Sequence, residues 1–369
     1  MLEVANPGSK TTLSLDENGR FQYFFVSYAA WIIGFQEMRK VIVVDGAFLR
    51  SKYGGVLLSA VAQNAENHIV PVTFCVVDKE CDVSYEYFFQ NMRSFVDDTD
   101  ELCIISDRHP SIRKMVSRIY PASHYGCCMR HLGENFRNKF QNSKATEALE
   151  LIEFHTWSRA FCPGNRYKIM TSNIAESVKT MFDVEREFPI VAIFDEINRR
   201  FALLFHLRRM ELVHSANRFV TSIEKDISEY VNAGNKLLAH QIANYKFSVT
   251  GHGDVATVNL QGRTCTCRIF DLDKIPCPHA MAAIRSQHGG NFGNQIFLYC
   301  SPYYSVEKYI MAYCQEIHPV QTEDSWVVPL DIIQREIPPP YVDPRKLGRR
   351  TYKRWHGVGE SFPTRKNKY

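Results

Sequence analysis

The chain has 369 residues, of which 45% are apolar and 23% are charged, and these ordinary proportions argue against an intrinsically disordered protein. No run of about 18 apolar residues is present, and residues 1–6 lack the basic start and apolar centre of a secretory signal, so we expect an intracellular protein with no membrane partner. The net charge of +4 is mild, but nine Lys or Arg and one Glu in residues 344–369 predict a basic tail. This tail either contacts phosphates or an import receptor, or is a solvated end.

The first strong pattern is a β-branched run over residues 41–45, which predicts a buried strand that ends at Asp45. Two further strands, Val56 to Gln63 and Ile69 to Val77, complete a three-stranded meander. Large apolar residues then recur at helical spacing from Val83 to Val96. We predict a helix there that packs on the sheet.

The strand pattern returns at residues 102–107, again ending in an aspartate, Asp107. Pro110 begins a second amphipathic helix, and a short strand at His124 to Cys127 and a helix over Arg130 to Phe140 follow. The order of three strands, helix, strand and helix is that of a ribonuclease-H-like core. We therefore predict an α/β fold whose mixed sheet is flanked by helices.

A helical region follows the core. Asn173 to Phe182 reads as a helix that carries Glu176, and Pro189 opens a longer one. The longer helix has a basic face, which suits either a solvated bundle helix or a DNA-contacting helix, and we favour the bundle. Four arginines make up this face: Arg199, Arg200, Arg208 and Arg209.

Two aspartates at strand ends suit a site for hard divalent cations, which prefer oxygen ligands. A pair of such ions about 3.5–4 Å apart activates water and stabilises a leaving oxygen. Asp45 and Asp107 need a third carboxylate, and Glu176 is the candidate. By itself, Glu176 is better explained as a solvated helix residue than as a metal ligand.

The eleven cysteines of this chain do not suggest a disulfide framework, because their number is odd and no export signal precedes them. Four residues instead form a Cys-x-Cys-x9-Cys-x-His pattern: Cys265, Cys267, Cys277 and His279. Three thiolates and one imidazole fill the tetrahedral shell of a structural Zn²⁺. The metal would join a hairpin to a helix in a small unit.

Taken together, the motifs resemble those of plant Mutator-like element (MULE) transposases with a SWIM-type zinc finger. The matching segments are Val43–Gly46, Phe48–Leu49, Tyr53–Gly55, Ser106–Arg108, Cys127–Leu132, Arg166–Tyr167, Thr171–Ser177 and the Cys/His pattern. The resemblance implies a catalytic triad of Asp45, Asp107 and Glu176 that binds Mg²⁺ or Mn²⁺. It also implies a family Cys-x-x-His signature at Cys128 and His131. These two residues could form a thiol nucleophile with its base, but we favour a structural or DNA-positioning role.

The resemblance implies a division into five regions: a lead-in (1–40), a ribonuclease-H-like core (41–140), a helical insertion carrying the third carboxylate (141–245), a zinc-stabilised α+β SWIM module (246–285) and a C-terminal helical segment with a basic tail (286–369). It implies a transposase-derived nuclear protein with DNA and other transposase subunits as partners and no small-molecule cofactor. The parent activity is metal-dependent DNA cleavage and strand transfer. The alternative is a non-enzymatic, zinc-containing DNA-binding or regulatory protein domesticated from a transposase.

Two departures from the family suggest reduced activity. Residues 141–156 form a shorter insertion than relatives carry, and the chain begins near the core, without their N-terminal DNA-recognition domain. A catalytic carboxylate must be placed within about 0.5 Å. We therefore expect weak or absent strand transfer.

Overall fold

The computed structural model describes residues 2–133, 154–251, 253–320 and 337–340. These residues form a mixed α/β structure with a seven-stranded sheet, a four-stranded sheet and surrounding helices. None of the helices in these ranges combines the length and the apolar character that a bilayer span requires. The predicted basic tail lies outside the described residues.

The main sheet begins before the predicted core. After a short helix α1 (Leu2–Ala5), strands β1 (Lys10–Leu15) and β2 (Phe21–Ser27) form an antiparallel hairpin, and helix α2 (Ala29–Gln36) follows. Strand β2 also pairs with the strand at Ile69–Val77. Residues that the sequence analysis described as a lead-in therefore supply two strands of the main sheet.

The predicted meander is confirmed. It consists of antiparallel strands β3 (Val41–Phe48), β4 (Val56–Gln63) and β5 (Ile69–Val77), and helix α3 (Asp82–Arg93) follows. The predicted end of the first strand at Asp45 is wrong: β3 continues to Phe48, because the residues after Asp45 still pair with β4. All three strands are mostly buried, because helices cover both faces of the sheet.

The second half of the sheet is parallel. Strand β6 (Cys103–Ser106) lies beside β3, helix α4 (Pro110–Ile119) follows it, and strand β7 (His124–Cys127) completes the sheet. The strand order is β1-β2-β5-β4-β3-β6-β7. Because β3, β6 and β7 run in the same direction, their carboxyl ends meet at one edge of the sheet.

Helices α3 and α4 cover one face of this sheet and the later helices cover the other. The predicted helix over 130–140 is observed over residues 129–133, and its remainder lies outside the described residues. The following helices are α5 (Phe154–Trp157), α6 (Asn173–Met181), α7 (Ile190–Glu211) and α8 (Thr221–Gly234), with a 3₁₀ turn at Glu185–Glu187.

The basic face of α7 is occupied by contacts within the chain. Arg199 and Arg200 pair with Glu196. Arg208 donates to the Ile69 carbonyl at 2.8 Å, and Arg209 donates to a backbone carbonyl near the C-terminal end of the described chain. These contacts support the bundle-helix interpretation over direct DNA contact.

The second sheet has the order β11-β10-β9-β8. Its strands are β8 (Leu238–Ala243), β9 (Lys246–Gly251), β10 (Asp254–Asn259) and β11 (Thr264–Cys265). Helices α9 (Ile269–Asp273), α10 (Pro278–His288), α11 (Phe292–Gln295) and α12 (Val306–Ala312) follow, with 3₁₀ turns at Gly289–Asn291, Ile296–Tyr299 and Pro302–Tyr304. The buried residues of this region belong to the same apolar cluster as one face of the main sheet.

The last described residues return to the first ones. The Asn6 carboxamide accepts a hydrogen bond from His318 N at 2.8 Å and donates to the His318 carbonyl at 2.9 Å. Phe21 N, at the start of β2, donates to the Pro338 carbonyl at 3.0 Å. The C-terminal part of the described chain thus contacts both the segment before β1 and the first residue of β2.

Candidate functional site: a carboxylate pair and a Cys/His cluster

Asp45 and Asp107 lie side by side. Asp45 is in β3, Asp107 directly follows β6, and the parallel register pairs Val44 with Ser106. Alternate residues of a strand face opposite sides of a sheet, so both aspartates fall on the side of Val43, which belongs to the cluster beneath α6. Sequence periodicity and a parallel pairing are enough to bring these carboxylates together.

Asp45 borders a small pocket between β3 and α6, which Ala175 and Lys179 also line. Burial raises the pKa of Asp45 from 3.8 to about 6; the Lys179 ammonium opposes this shift, and the negative charge of Asp107 adds to it. Its Oδ1 accepts a hydrogen bond from Gly46 N at 2.9 Å. The partly buried carboxylate lacks full solvation, a deficit that a bound cation would relieve.

Glu80 is a further carboxylate that packs against β3 beside Asp45, and the sequence analysis did not predict it. Its Oε1 accepts a hydrogen bond from the Tyr85 hydroxyl at 2.6 Å. The same oxygen would lie 2.5 Å from a Cβ atom at Gly46, so a larger residue there would displace it. Glu80 carries no sequence signal, because only the fold brings the β5–α3 turn against β3.

Glu176 lies on the first turn of α6, as predicted, but its carboxylate is already engaged. It forms an ion pair with Arg130, and its Oε1 lies 3.3 Å from His131 Nε2. Its side chain is 20% exposed. Both partners come from the Cys-x-x-His segment, and the sequence did not predict that this segment contacts Glu176.

That segment contacts the start of α6 at two further points. Cys128 is fully buried, and its Sγ accepts a hydrogen bond from Ser172 N at 3.1 Å. His131 Nδ1 lies 3.3 Å from Ser172 Oγ. No hydrogen bond joins Cys128 to His131 in the described parts of the chain, so the geometry does not resemble a thiol nucleophile with its base.

The predicted zinc ligands converge. The ligand atoms of Cys265, Cys267, Cys277 and His279 all lie within 4.8 Å of one another. Among the residues that the structure describes, this is the one group of three or more potential ligands gathered so closely. The three carboxylates Asp45, Asp107 and Glu176 therefore do not approach each other to that degree.

Local structure explains the convergence. Cys265 ends β11, and Arg268 adopts a left-handed conformation (φ 65°) that turns the chain so that its N donates to the Cys265 carbonyl. Cys277 precedes α10, and its Sγ accepts from Ala280 N at 3.4 Å. A hairpin end and a helix start thus present the two ligand pairs to each other.

The donor set fits Zn²⁺. Hydrogen bonds from the thiols of Cys265 and Cys277 lower the pKa of Cys267, so the cluster favours a thiolate. Three sulfurs and one imidazole nitrogen leave no open position in a tetrahedral shell, which is the arrangement of a structural site. The cluster therefore supports zinc as a structural cofactor.

Comparison with known protein families gives two matches. The family model for the MULE transposase domain matches residues 41–135, which include Asp45, Asp107, Cys128 and His131. The model for the SWIM zinc finger matches residues 256–288, which include the four metal ligands. A search of curated proteins gave no match. The chain therefore carries a MULE transposase domain followed by a SWIM zinc finger, a combination consistent with a Mutator-like transposase.

Proposed function

We propose that this protein derives from a DNA transposase whose parent activity is metal-dependent strand cleavage and transfer. The observation that carries the proposal is the pair Asp45 and Asp107, side by side on adjacent parallel strands and facing the helix that bears Glu176. A transposase domain also implies an interaction with DNA. We further propose a nuclear location and assembly with other transposase subunits.

The carboxylate pair fits a hard divalent cation such as Mg²⁺ or Mn²⁺. The metal would activate a water molecule and stabilise the leaving oxygen of the cleaved strand. Asp45 and Asp107 would hold it, and Glu176, which now pairs with Arg130 and His131, would supply the third carboxylate. The ammonium of Lys179 borders the same pocket and would attract a DNA phosphate.

We propose that the core is ribonuclease-H-like. The support is the succession of an antiparallel meander, a helix, a parallel strand, a second helix and a second parallel strand over residues 41–127. Asp45 and Asp107 each directly follow the last residue of the parallel pairing between β3 and β6. The SWIM module would use its zinc to keep the second sheet and α10 joined beside this core.

A second candidate is a non-enzymatic DNA-binding or regulatory protein of the same origin. The observation that favours it is the engagement of Glu176 by two basic side chains, together with the incomplete convergence of the three carboxylates. A carboxylate that remains paired with Arg130 is a poor metal ligand. In this candidate the core would bind DNA without cutting it.

Cleavage and binding assays separate the two candidates. The purified full chain is incubated with supercoiled plasmid and Mg²⁺ or Mn²⁺, and nicking is measured beside DNA affinity. For the enzyme we expect slow, metal-dependent nicking that Asp107→Ala abolishes and Asp97→Asn, at an 85% exposed side chain, preserves. DNA binding without nicking would favour the regulatory protein. Absence of both would refute both candidates.

A further inference from the structure

The residues Cys128 and His131 match a family motif, but the proposed function gives them no role. Cys128 stands between two parts of the carboxylate site. Its backbone N donates to the Ser106 carbonyl at 2.9 Å, directly before Asp107, and its Sγ accepts from Ser172 N at 3.1 Å. One fully buried residue thus joins the end of β6 to the start of α6.

His131 lies one helical turn beyond Cys128, and residues three apart on a helix share a face. Its two ring nitrogens have different neighbours: Nδ1 lies 3.3 Å from Ser172 Oγ, and Nε2 lies 3.3 Å from Glu176 Oε1. His131 therefore contacts both Ser172, the N-cap residue of α6, and Glu176, one turn into the helix.

A backbone hydrogen bond supports the same docking. Met129 N donates to the Met170 carbonyl at 3.0 Å, just before α6. Ser172 occupies the N-cap position of α6, yet its hydroxyl does not cap the helix and instead lies between His131 and Glu176. The start of α6 is thus fixed from outside by the Cys-x-x-His segment.

We propose that Cys128 and His131 are positioning residues: Cys128 locks the start of α6 to the end of β6, and His131 orients the Glu176 carboxylate. The proposal rests on the proposed function only where it names Glu176 as a metal ligand. The contacts through Ser172 hold without any metal. Groups that orient metal ligands typically change metal affinity by about 10–100-fold when they are removed.

The first test uses hydrogen–deuterium exchange of the zinc-loaded full chain without other divalent metals. In Cys128→Ala and His131→Ala, we expect peptides covering α6 to exchange at least about tenfold faster, because the opening free energy of this segment falls. Cys128→Ser, which keeps an acceptor for Ser172 N, should restore most of the protection. Cys314→Ala, at an exposed cysteine, is the matched control and should change nothing. Unchanged exchange of α6 in both alanine variants would refute the positioning role.

The second test measures Mn²⁺ affinity in a double-mutant cycle. His131→Ala and Glu176→Gln should each weaken binding by about tenfold. The double variant should bind no more weakly than Glu176→Gln, because His131 acts through Glu176. Additive losses would refute that action. If Asp107→Ala leaves Mn²⁺ binding unchanged, the proposed metal site fails, while the exchange experiment still decides whether Cys128 and His131 fix α6.

Discussion

In the zinc-loaded protein without Mg²⁺ or Mn²⁺, the substitution Asp45→Asn should increase stability at neutral pH. Burial, which opposes the charged form, raises the pKa of Asp45 from 3.8 to about 6. The folded state therefore binds the Asp45 proton more tightly than the unfolded state does. The stabilisation that comes from this tighter proton binding is fully present below pH 3.8 and is lost as the pH rises through about 6. Asparagine stays neutral and keeps an oxygen for the hydrogen bond from Gly46 N.

The size of the effect follows from the shift. A change of about 2 units at about 1.36 kcal/mol each makes the ionised carboxylate cost about 3 kcal/mol at pH 7. At pH 4 the cost is below about 1 kcal/mol, because Asp45 is almost fully protonated in the folded state and already about 40% protonated in the unfolded state. The stability gain of Asp45→Asn should therefore increase by about 2 kcal/mol between these two pH values.

Urea unfolding of both proteins at matched pH and zinc concentration measures this gain. Loss of zinc at low pH affects both proteins alike and cancels in the difference. Asp97→Asn, at an 85% exposed side chain, should give a difference near zero at every pH. A pH-independent gain for Asp45→Asn, or a loss of stability at pH 7, would refute the argument that Asp45 is a desolvated carboxylate.

Three further outcomes are expected. Cys267→Ser should weaken Zn²⁺ binding sharply, whereas Cys300→Ser, at a buried cysteine outside the ligand cluster, should not; metal analysis after competition with a chelator distinguishes them. Deletion of residues 344–369 should reduce the slope of log K against log salt for DNA binding by about 0.9 for each phosphate that the tail neutralises, and an unchanged slope would exclude DNA binding by the tail. Arg39→Met should cost about 1–3 kcal/mol in urea unfolding, because the buried guanidinium donates to a backbone carbonyl in the β4–β5 turn. Arg118→Met, at a 63% exposed side chain, should change stability by less than about 0.5 kcal/mol.

Much of the core was predictable because its signals are local. The run over residues 41–45 and the one over 102–107 each predicted a strand that carries an aspartate to its end. Strand β3 in fact continues to Phe48, but its parallel pairing with β6 ends at Val44 and Ser106 and so places both aspartates together. The zinc ligands were predictable because their spacing is fixed by the geometry of one ion. In both cases a short stretch of sequence carries the pattern that predicts the structure.

The remaining features depend on contacts between distant parts of the chain. Strand β1 is polar, and β2 joins the sheet through β5, about 50 residues away in sequence. The partners of Glu176, His131 and Arg130, lie 45 and 46 residues earlier, and only the tertiary fold brings them to its carboxylate. Such long-range contacts leave no periodic pattern in the sequence, and Glu80 was missed for the same reason.

The contacts between the two ends of the described chain bear on biosynthesis. The Asn6 carboxamide bonds to the His318 backbone, 312 residues later, and the first residue of β2 donates its backbone N–H to the Pro338 carbonyl. A ribosome releases a protein from its amino end, and long-range contacts form only after both partners have emerged. The hairpin at the edge of the main sheet therefore lacks these contacts until almost the whole chain has been made. During translation this edge of the sheet is open to wrong pairing with neighbouring chains, which a chaperone bound there would prevent.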